Sequence, residues 1–324
     1  MKIATKTGPG ATKHYTTSVN RAIDYILLNL AEPLSLARVA EIAGFSTFHF
    51  HRIFRSMTGE SLNEFIKRVR LERSVSLLTQ SVRSRKKRKT LTEIAFACGF
   101  SSSSDFSRCF RQRYDVSPSQ FDVESFRERQ RDTWHSAIEM PAQRYRLDPL
   151  TPGGNTDEFQ VSLKELPPRS VAYLRVADSY RPNAVVDAAS EMLGWAEDEG
   201  LADSQWLGYM WDDPEVVAHE LCRYDIAVEV PTDFRPRHDA MANQTGLASN
   251  IGSFEFPAMT VVEVPVCGPI ELEMQALDWL FGTWLPASDY VPADHPSFEA
   301  WMGRPFEHGL EHFELNIQIP VSTF

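Results

Sequence analysis

Arg52 with Arg55, and Arg108 with Arg111, form two pairs of arginines at the same spacing of three. On a helix such residues share one side. Their guanidinium groups offer planar forks of donors, as a helix entering a major groove requires. The C-terminal half carries a different chemistry. Tyr209 and Trp211 alternate with Gly208 and Met210, so on a strand they share one face. Beside a carboxylate they would make an aromatic box for flat or cationic molecules. His308 to His312 spells HxxEH, which on a helix can set two imidazoles and a carboxylate on zinc. Gly309 and the short span between two predicted strands argue against a helix there. No distant third ligand stands out, so neither metal nor cofactor is expected. No Gly-rich phosphate loop or GxSxG elbow occurs, which leaves no independent case for NTP hydrolysis or serine chemistry.

The arginine pairs lie in a stretch that occurs twice. Residues 36–65 read LARVAEIAGFSTFHFHRIFRSMTGESLNEF, and residues 91–121 read LTEIAFACGFSSSSDFSRCFRQRYDVSPSQF. Leu36 matches Leu91, Ala40 matches Ala95, and Gly44-Phe45-Ser46 matches Gly99-Phe100-Ser101. After one added residue, Phe50, Arg52, Phe54 and Phe65 match Phe106, Arg108, Phe110 and Phe121. Each copy predicts a short apolar helix, a break at a glycine of positive φ, and a longer helix. Phe50, Ile53 and Phe54, like Phe106, Cys109 and Phe110, form the inward face. His49, His51, Arg52 and Arg55 lie off it, as do Ser103, Ser104, Arg108 and Arg111. Ser102, three residues before Asp105, is placed to open a capping box. One copy alone also reads as an amphipathic pair with a solvated basic face. Two copies with matched glycines, aromatics and arginines favour a double helix-turn-helix.

These residues resemble the DNA-binding domain of the AraC/XylS family of bacterial transcription regulators. GFSTFHFHRIFR, GFSSSSDFSRCFR, Ser117-Pro118 and Arg70-Leu71 of the intervening helix carry the likeness, over about residues 18–125. The basic run RSRKKRK at 83–89 is longer than the family's usual linker turn, and is expected to touch phosphate. The resemblance implies base contacts from Phe48, His51 and Arg52 and from Ser103, Ser104 and Arg108. Thr47, Arg55 and Arg111 complete the implied DNA-binding set.

Charge divides the chain in the same place. Of 324 residues with net charge -11, residues 1–131 hold 23 Lys/Arg against 12 Asp/Glu, and the remainder 10 against 32. A basic front half suits a polyanion and an acidic back half repels one. Cys98, Cys109, Cys222 and Cys267 show no CxxC pairing and read as buried free thiols of a reducing cytoplasm. No apolar run follows the first charges, so no signal peptide is expected, and no stretch is long and apolar enough to span a bilayer.

Taken in order, residues 1–17 are expected to be a mobile tail, with Ser18 capping a first helix through Leu30. The DNA-binding domain spans 18–131, with a long helix from Leu62 to about Thr79 holding its two heads apart. A Pro/Gly-rich linker at 132–158 leads to an α+β domain at 159–324. There two strand-helix-strand-strand repeats, with helices around Trp195 and Trp284, are expected to pair into one antiparallel sheet. The chain carries seven tryptophans, and Trp195 and Trp284 are expected in the core.

This half resembles the GyrI-like effector-binding domain, through Gly208–Pro214 (GYMWDDP), Cys222–Val228 (CRYDIAV), Arg304–Glu307 (RPFE) and the terminal FELNIQIPV. The resemblance implies a buried glutamate in an aromatic cleft, at Glu307 by the position of its motif, with Tyr209, Trp211 and Trp301 as further effector contacts. His308 and Gly309 stand where the family often carries a tyrosine. Together these readings describe a cytoplasmic, non-enzymatic transcription regulator under small-molecule control. Its implied partners are double-stranded DNA, a cationic or aromatic small-molecule effector, and RNA polymerase, with no membrane contact. The alternatives are a hydrolase of strained-ring natural products in the C-terminal cleft, or a protein that sequesters a drug or toxin.

Overall fold

The computed structural model describes residues 9–83, 88–137, 159–234 and 250–323. Residues 1–8 of the expected tail, residues 84–87 of the basic run and residues 138–158 of the expected linker lie outside them. The chain divides into two compact units. One contains the residues up to Leu77 together with Lys89–Phe121, and the other contains Leu78–Arg88, Asp122–Thr232 and Ser253–Phe324.

The first unit is helical. Helix α1 (Pro9–Leu28) begins nine residues before the expected cap at Ser18. A proline tolerates the first helical turn because no N–H partner is needed there. Ser18 itself is buried, and the Tyr15 ring lies 5.8 Å from that of Phe45, so the earlier turns have packing to hold them. Helices α2 (Leu36–Ala43) and α3 (Thr47–Thr58) form the first helix-turn-helix, capped by the side chains of Ser35 and Ser46. Helix α4 (Leu62–Arg83) follows, about 33 Å long at 1.5 Å per residue. Helices α5 (Leu91–Ala97) and α6 (Ser103–Tyr114) repeat the motif. Ser102 accepts from the Asp105 N–H, while the complete capping box is at Thr90 and Glu93.

The turn glycines behave as the sequence requires, with φ 77° at Gly44 and 80° at Gly99. Phe50, Phe54, Phe106 and Phe110 are fully buried. Arg70 of α4 ties the two heads together. It donates through Nε to the Leu30 carbonyl at 3.0 Å and through a terminal nitrogen to the Glu32 carbonyl at 2.8 Å, directly beneath Gly99.

The second unit opens with α7 (Val123–Ala137) and continues into a nine-stranded sheet. The strands are β1 (Ser162–Leu166), β2 (Arg169–Ala177), β3 (Trp206–Met210), β4 (Arg223–Val230), β5 (Gly252–Phe256), β6 (Met259–Gly268), β7 (Tyr290–Pro292), β8 (Ser297–Trp301) and β9 (Phe313–Thr323). Their order is β1-β6-β9-β8-β3-β4-β2-β5, with β7 paired to β9, and the pairs β1–β6, β6–β9, β9–β8, β8–β3, β3–β4, β4–β2 and β7–β9 are antiparallel. Helix α8 (Ala184–Glu199) packs on β2 and β4, and α9 (Ile270–Trp279) packs on β6 and β9. The helix widens into a π-turn at Leu280–Trp284.

Alternation along the strands sorts two chemistries. Cross-strand neighbours share a face, so the pairs Tyr209↔Phe298 and Leu207↔Ala300 lie on one side, and Gly208↔Glu299 on the other. The first side is a dry aromatic cluster of Tyr173, Tyr209, Phe254, Phe256 and Phe298, with Trp211 against it.

Two expectations fail here. Cys98, Cys109 and Cys222 are buried, but Cys267 is exposed near the end of β6, where the strand runs past the packed core. Trp195 and Trp284 are only half-buried, and Trp206 and Trp279 fill the core instead. The indole N–H of Trp206 finds the Ala202 carbonyl at 2.9 Å, so its burial leaves no donor unmet. Among the described residues no helix is long and apolar enough to cross a membrane.

Candidate functional site

On α3 the outward row is Thr47, Phe48, His51, Arg52 and Arg55, all exposed. Phe48 is 67% exposed, an unusual position for a phenyl ring, with the Arg52 guanidinium 5.8 Å from its centroid. A ring and a cation side by side offer a groove one apolar contact for a thymine methyl and one forked donor. On α6 the matching row holds Ser104, Arg108 and Arg111, exposed, and Ser103, half-buried. Ser103 donates to the Thr92 hydroxyl at 3.0 Å, which joins α5 to α6 and fixes the head of the helix. Arg108 pairs with Asp105 at 2.6 Å while most of its side chain faces solvent. Each head therefore turns a buried phenylalanine row inward and a pair of arginines outward.

The effector residues are not all gathered. Tyr209 and Trp211 do share a face, with rings 6.2 Å apart, and the Trp211 indole donates to Asp225 at 3.1 Å. That face is opposite the one carrying Trp301. Glu307 is exposed rather than enclosed by rings. Strand β8 ends at Trp301, and the following residues turn tightly, with positive φ at Gly303, Phe306 and Gly309, which carries Glu307 out to the surface. It does share a hollow with Trp301, lined also by Gln205, Met302, Gly303 and Arg304. Trp301 packs against Phe306 and Phe313, at 5.1 and 5.8 Å.

The carboxylate held among rings is Glu299, two residues before Trp301 on the same side of β8. Tyr224 donates its hydroxyl to Glu299 at 2.5 Å, and the fully enclosed Glu273 of α9 faces the same group. Burial pushes the Glu299 carboxyl up to about 7, although the residue keeps some contact with solvent. Burial first, and then Glu299, raise Glu273 well above the ordinary carboxylate range. Burial also raises the Tyr224 phenol, with Glu299 adding to it. Two acids and a phenol, with no cation beside them among the described residues, make a site that accepts positive charge or holds a proton.

Sequence reasoning passed over this cluster because Glu299 stands in a short run, Ser-Phe-Glu-Ala-Trp, with no motif. The usable signal was alternation. A glutamate between Phe298 and Ala300 must point to the face opposite them, the face of Trp301.

Comparison with known proteins follows the same division. A model described as a GyrI-like small molecule binding domain matches residues 159–322, and a helix-turn-helix domain model matches residues 39–123. The N-terminal part is similar to the probable transcriptional regulator LumQ of Photobacterium leiognathi, 31% identical over 98 residues, which are 30% of this chain and 37% of LumQ. The chain thus spans little more than a third of that relative's length. It is also similar to the regulatory protein SoxS of Salmonella typhimurium, 31% identical over 103 residues, which are 32% of this chain and 91% of SoxS. Among solved structures, an AraC-type DNA-binding regulator from Chromobacterium violaceum is 28% identical with a TM-score of 0.29. It covers 32% of this chain and 87% of its own.

Proposed function

Since this chain belongs to the GyrI-like small-molecule-binding family and carries an AraC-type helix-turn-helix domain, we propose that it is a DNA-binding transcription regulator controlled by a small-molecule effector. The observation that carries the reading is the paired outward rows of α3 and α6. Phe48, His51 and Arg52, with Thr47 and Arg55 beside them, read one major groove. Ser103, Ser104 and Arg108, with Arg111, read the next, about 34 Å away along the duplex. The basic run at 83–89 adds phosphate contacts, RNA polymerase is the downstream partner, and the protein acts in the cytoplasm. Arg52→Ala should weaken specific binding by about 1–3 kcal/mol if its partner is guanine. Fluorescence anisotropy on specific and random duplexes tests this. Equal loss on both would reduce Arg52 to a phosphate contact.

The effector is an organic cation with an aromatic or apolar body. It lies against Trp301 with its charge toward Glu299 and Tyr224, and Glu307 stands at the rim. On the reading of the strand-rich half as two strand-helix-strand-strand repeats, this site would lie where the central pair β3 and β8 meet, and the pairing of Gly208 with Glu299 supports it. A cationic ligand supplies the charge that Glu299 lacks, and a neutral analogue of the same shape gains only apolar contact. Thermal-shift screening of the full chain against matched cationic and neutral compounds tests the assignment. Glu299→Gln should erase the preference for cations, and retention of it would move the site elsewhere.

One observation favours a second reading. A glutamate near pH 7 bonded to a tyrosine is suited to general-acid chemistry, as opening of a strained ring needs. Turnover of a strained-ring electrophile, lost in Glu299→Gln, would establish it.

A further inference from the structure

The sequence offers HxxEH without a third ligand, and the fold supplies one. In the register of β6 with β9, Cys267 lies directly across from Glu314. Residues opposite one another in an antiparallel pair share a face, with Cβ atoms about 5 Å apart. His312, two residues before Glu314, comes to the same side. Sulfur, imidazole and carboxylate therefore converge at the open end of a strand pair. His312 Nε2 is 3.7 Å from the Cys267 sulfur and 3.2 Å from Glu314 Oε1, and the sulfur is 3.9 Å from that same oxygen. All three ligand atoms lie within 4.8 Å of one another. His308 comes back through the turn to within 3.7 Å of the second Glu314 oxygen, its ring 5.8 Å from that of His312.

We propose that Cys267, His312 and Glu314 bind a zinc ion, with His308 or a water completing the tetrahedron. The argument is geometric. Zinc holds sulfur at about 2.3 Å and imidazole or carboxylate at about 2.0–2.2 Å. Tetrahedral angles then set sulfur about 3.6 Å from nitrogen or oxygen, and nitrogen about 3.4 Å from oxygen. The three separations in the fold fall within a few tenths of an ångström of those edges.

The donor set also selects the ion. A thiol is a poor partner for magnesium or calcium, which take oxygen ligands, whereas one sulfur with nitrogen and oxygen suits zinc. Cys267 is exposed, so the ion can enter from solvent. Binding displaces the thiol proton to water and leaves the imidazoles neutral, so affinity rises with pH. The bound ion would cross-link β6 and β9 to the turn carrying Arg304 and Glu307.

The test uses the tag-free full chain, freed of metal with a chelator. Zinc titrated against a chromogenic competitor should bind at one ion per chain. Cobalt(II) in its place should give a thiolate-to-metal charge-transfer band. Since Cys98, Cys109 and Cys222 are buried, that band would report Cys267. Cys267→Ser should abolish the band, and Cys267→Ser with His312→Ala should abolish stoichiometric zinc binding. All variants should melt at the parent temperature in chelator, because the substituted groups are at the surface. A parent chain without a cobalt–thiolate band would overturn the proposal without recourse to any variant. Undiminished zinc binding by the double variant would overturn it as well, and leave the cluster as a hydrogen-bonded one.

Discussion

The Tyr224 hydroxyl reaches Glu299 through space left open by Gly208. A Cβ built at residue 208 would stand 1.8 Å from that hydroxyl and 2.6 Å from the Glu299 carboxylate. Gly208→Ala should therefore cost about 1–3 kcal/mol, as overpacking does. Tyr224→Phe in the same chain should recover part of the loss by removing the oxygen that is struck. Urea denaturation of the single and double variants measures this coupling. Additive effects would mean that the glycine serves the backbone instead.

The same pair predicts how stability follows pH. Glu299 is raised from its ordinary value of 4.5 to about 7, so the folded chain holds a proton that the unfolded chain releases. The stability tied to that proton is fully present below about 4.5 and is lost as pH rises through about 7. Glu273 is raised in the same direction and adds to the trend. Subtracting the melting-temperature profile of Glu299→Gln from that of the parent should give a curve falling across this interval. A level difference curve would show that Glu299 ionises alike in both states.

Much of the first unit was readable because its constraints are local. Gly44 and Gly99 mark left-handed turns, Phe50 and Phe106 recur at helical spacing, and the duplication checks each against the other. The start of α1 was not readable, since it depends on Tyr15 meeting Phe45, a contact no local pattern announces. In the second unit, motif position pointed to Glu307, but the turns after β8 place that residue at the surface. Cys267 was read as buried from its apolar neighbours, yet strand register brings it to His312 and Glu314. The position of Glu307 depends on left-handed turns after β8, and that of Cys267 on pairing with residues 45 and 47 positions away.

Helix α7 offers a test of the proposed effector control. Arg127 pairs with Asp213 at 2.7 Å and Glu215 at 2.6 Å, and Arg131 also holds Glu215. These acids lie in the segment that follows Trp211, and α7 is the element entered within ten residues of leaving α6. Arg127→Ala takes this partner from Asp213 and leaves Glu215 held by Arg131. It should cost about 3 kcal/mol, the low end for a broken buried pair, because Asp213 keeps part of its side chain in water. The variant should bind effector and DNA separately as the parent does, while the change in DNA affinity on adding effector shrinks. Full retention of that change in a measurably destabilised variant would exclude α7 from signalling.

Gly59 and Gly99 together separate backbone strain from steric overlap. Both are left-handed, at φ 76° and 80°. A Cβ at Gly59 would meet nothing within 4 Å, so Gly59→Ala should cost only the strain of a left-handed alanine, about 1–2 kcal/mol. At Gly99 the added carbon would stand 2.1 Å from the Leu30 carbonyl oxygen and 2.8 Å from an Arg70 nitrogen. The arginine can swing aside, but the carbonyl belongs to the backbone after α1 and accepts the Arg70 Nε–H bond. Gly99→Ala should thus cost about 2–4 kcal/mol, the strain plus an overpacking penalty. Because Arg70 and Leu30 hold the second head against the first, this variant should also lose specific DNA affinity, whereas Gly59→Ala should keep it. Equal destabilisation of the two variants would mean that the Leu30 carbonyl yields, and that Arg70 does not fix the spacing of the heads.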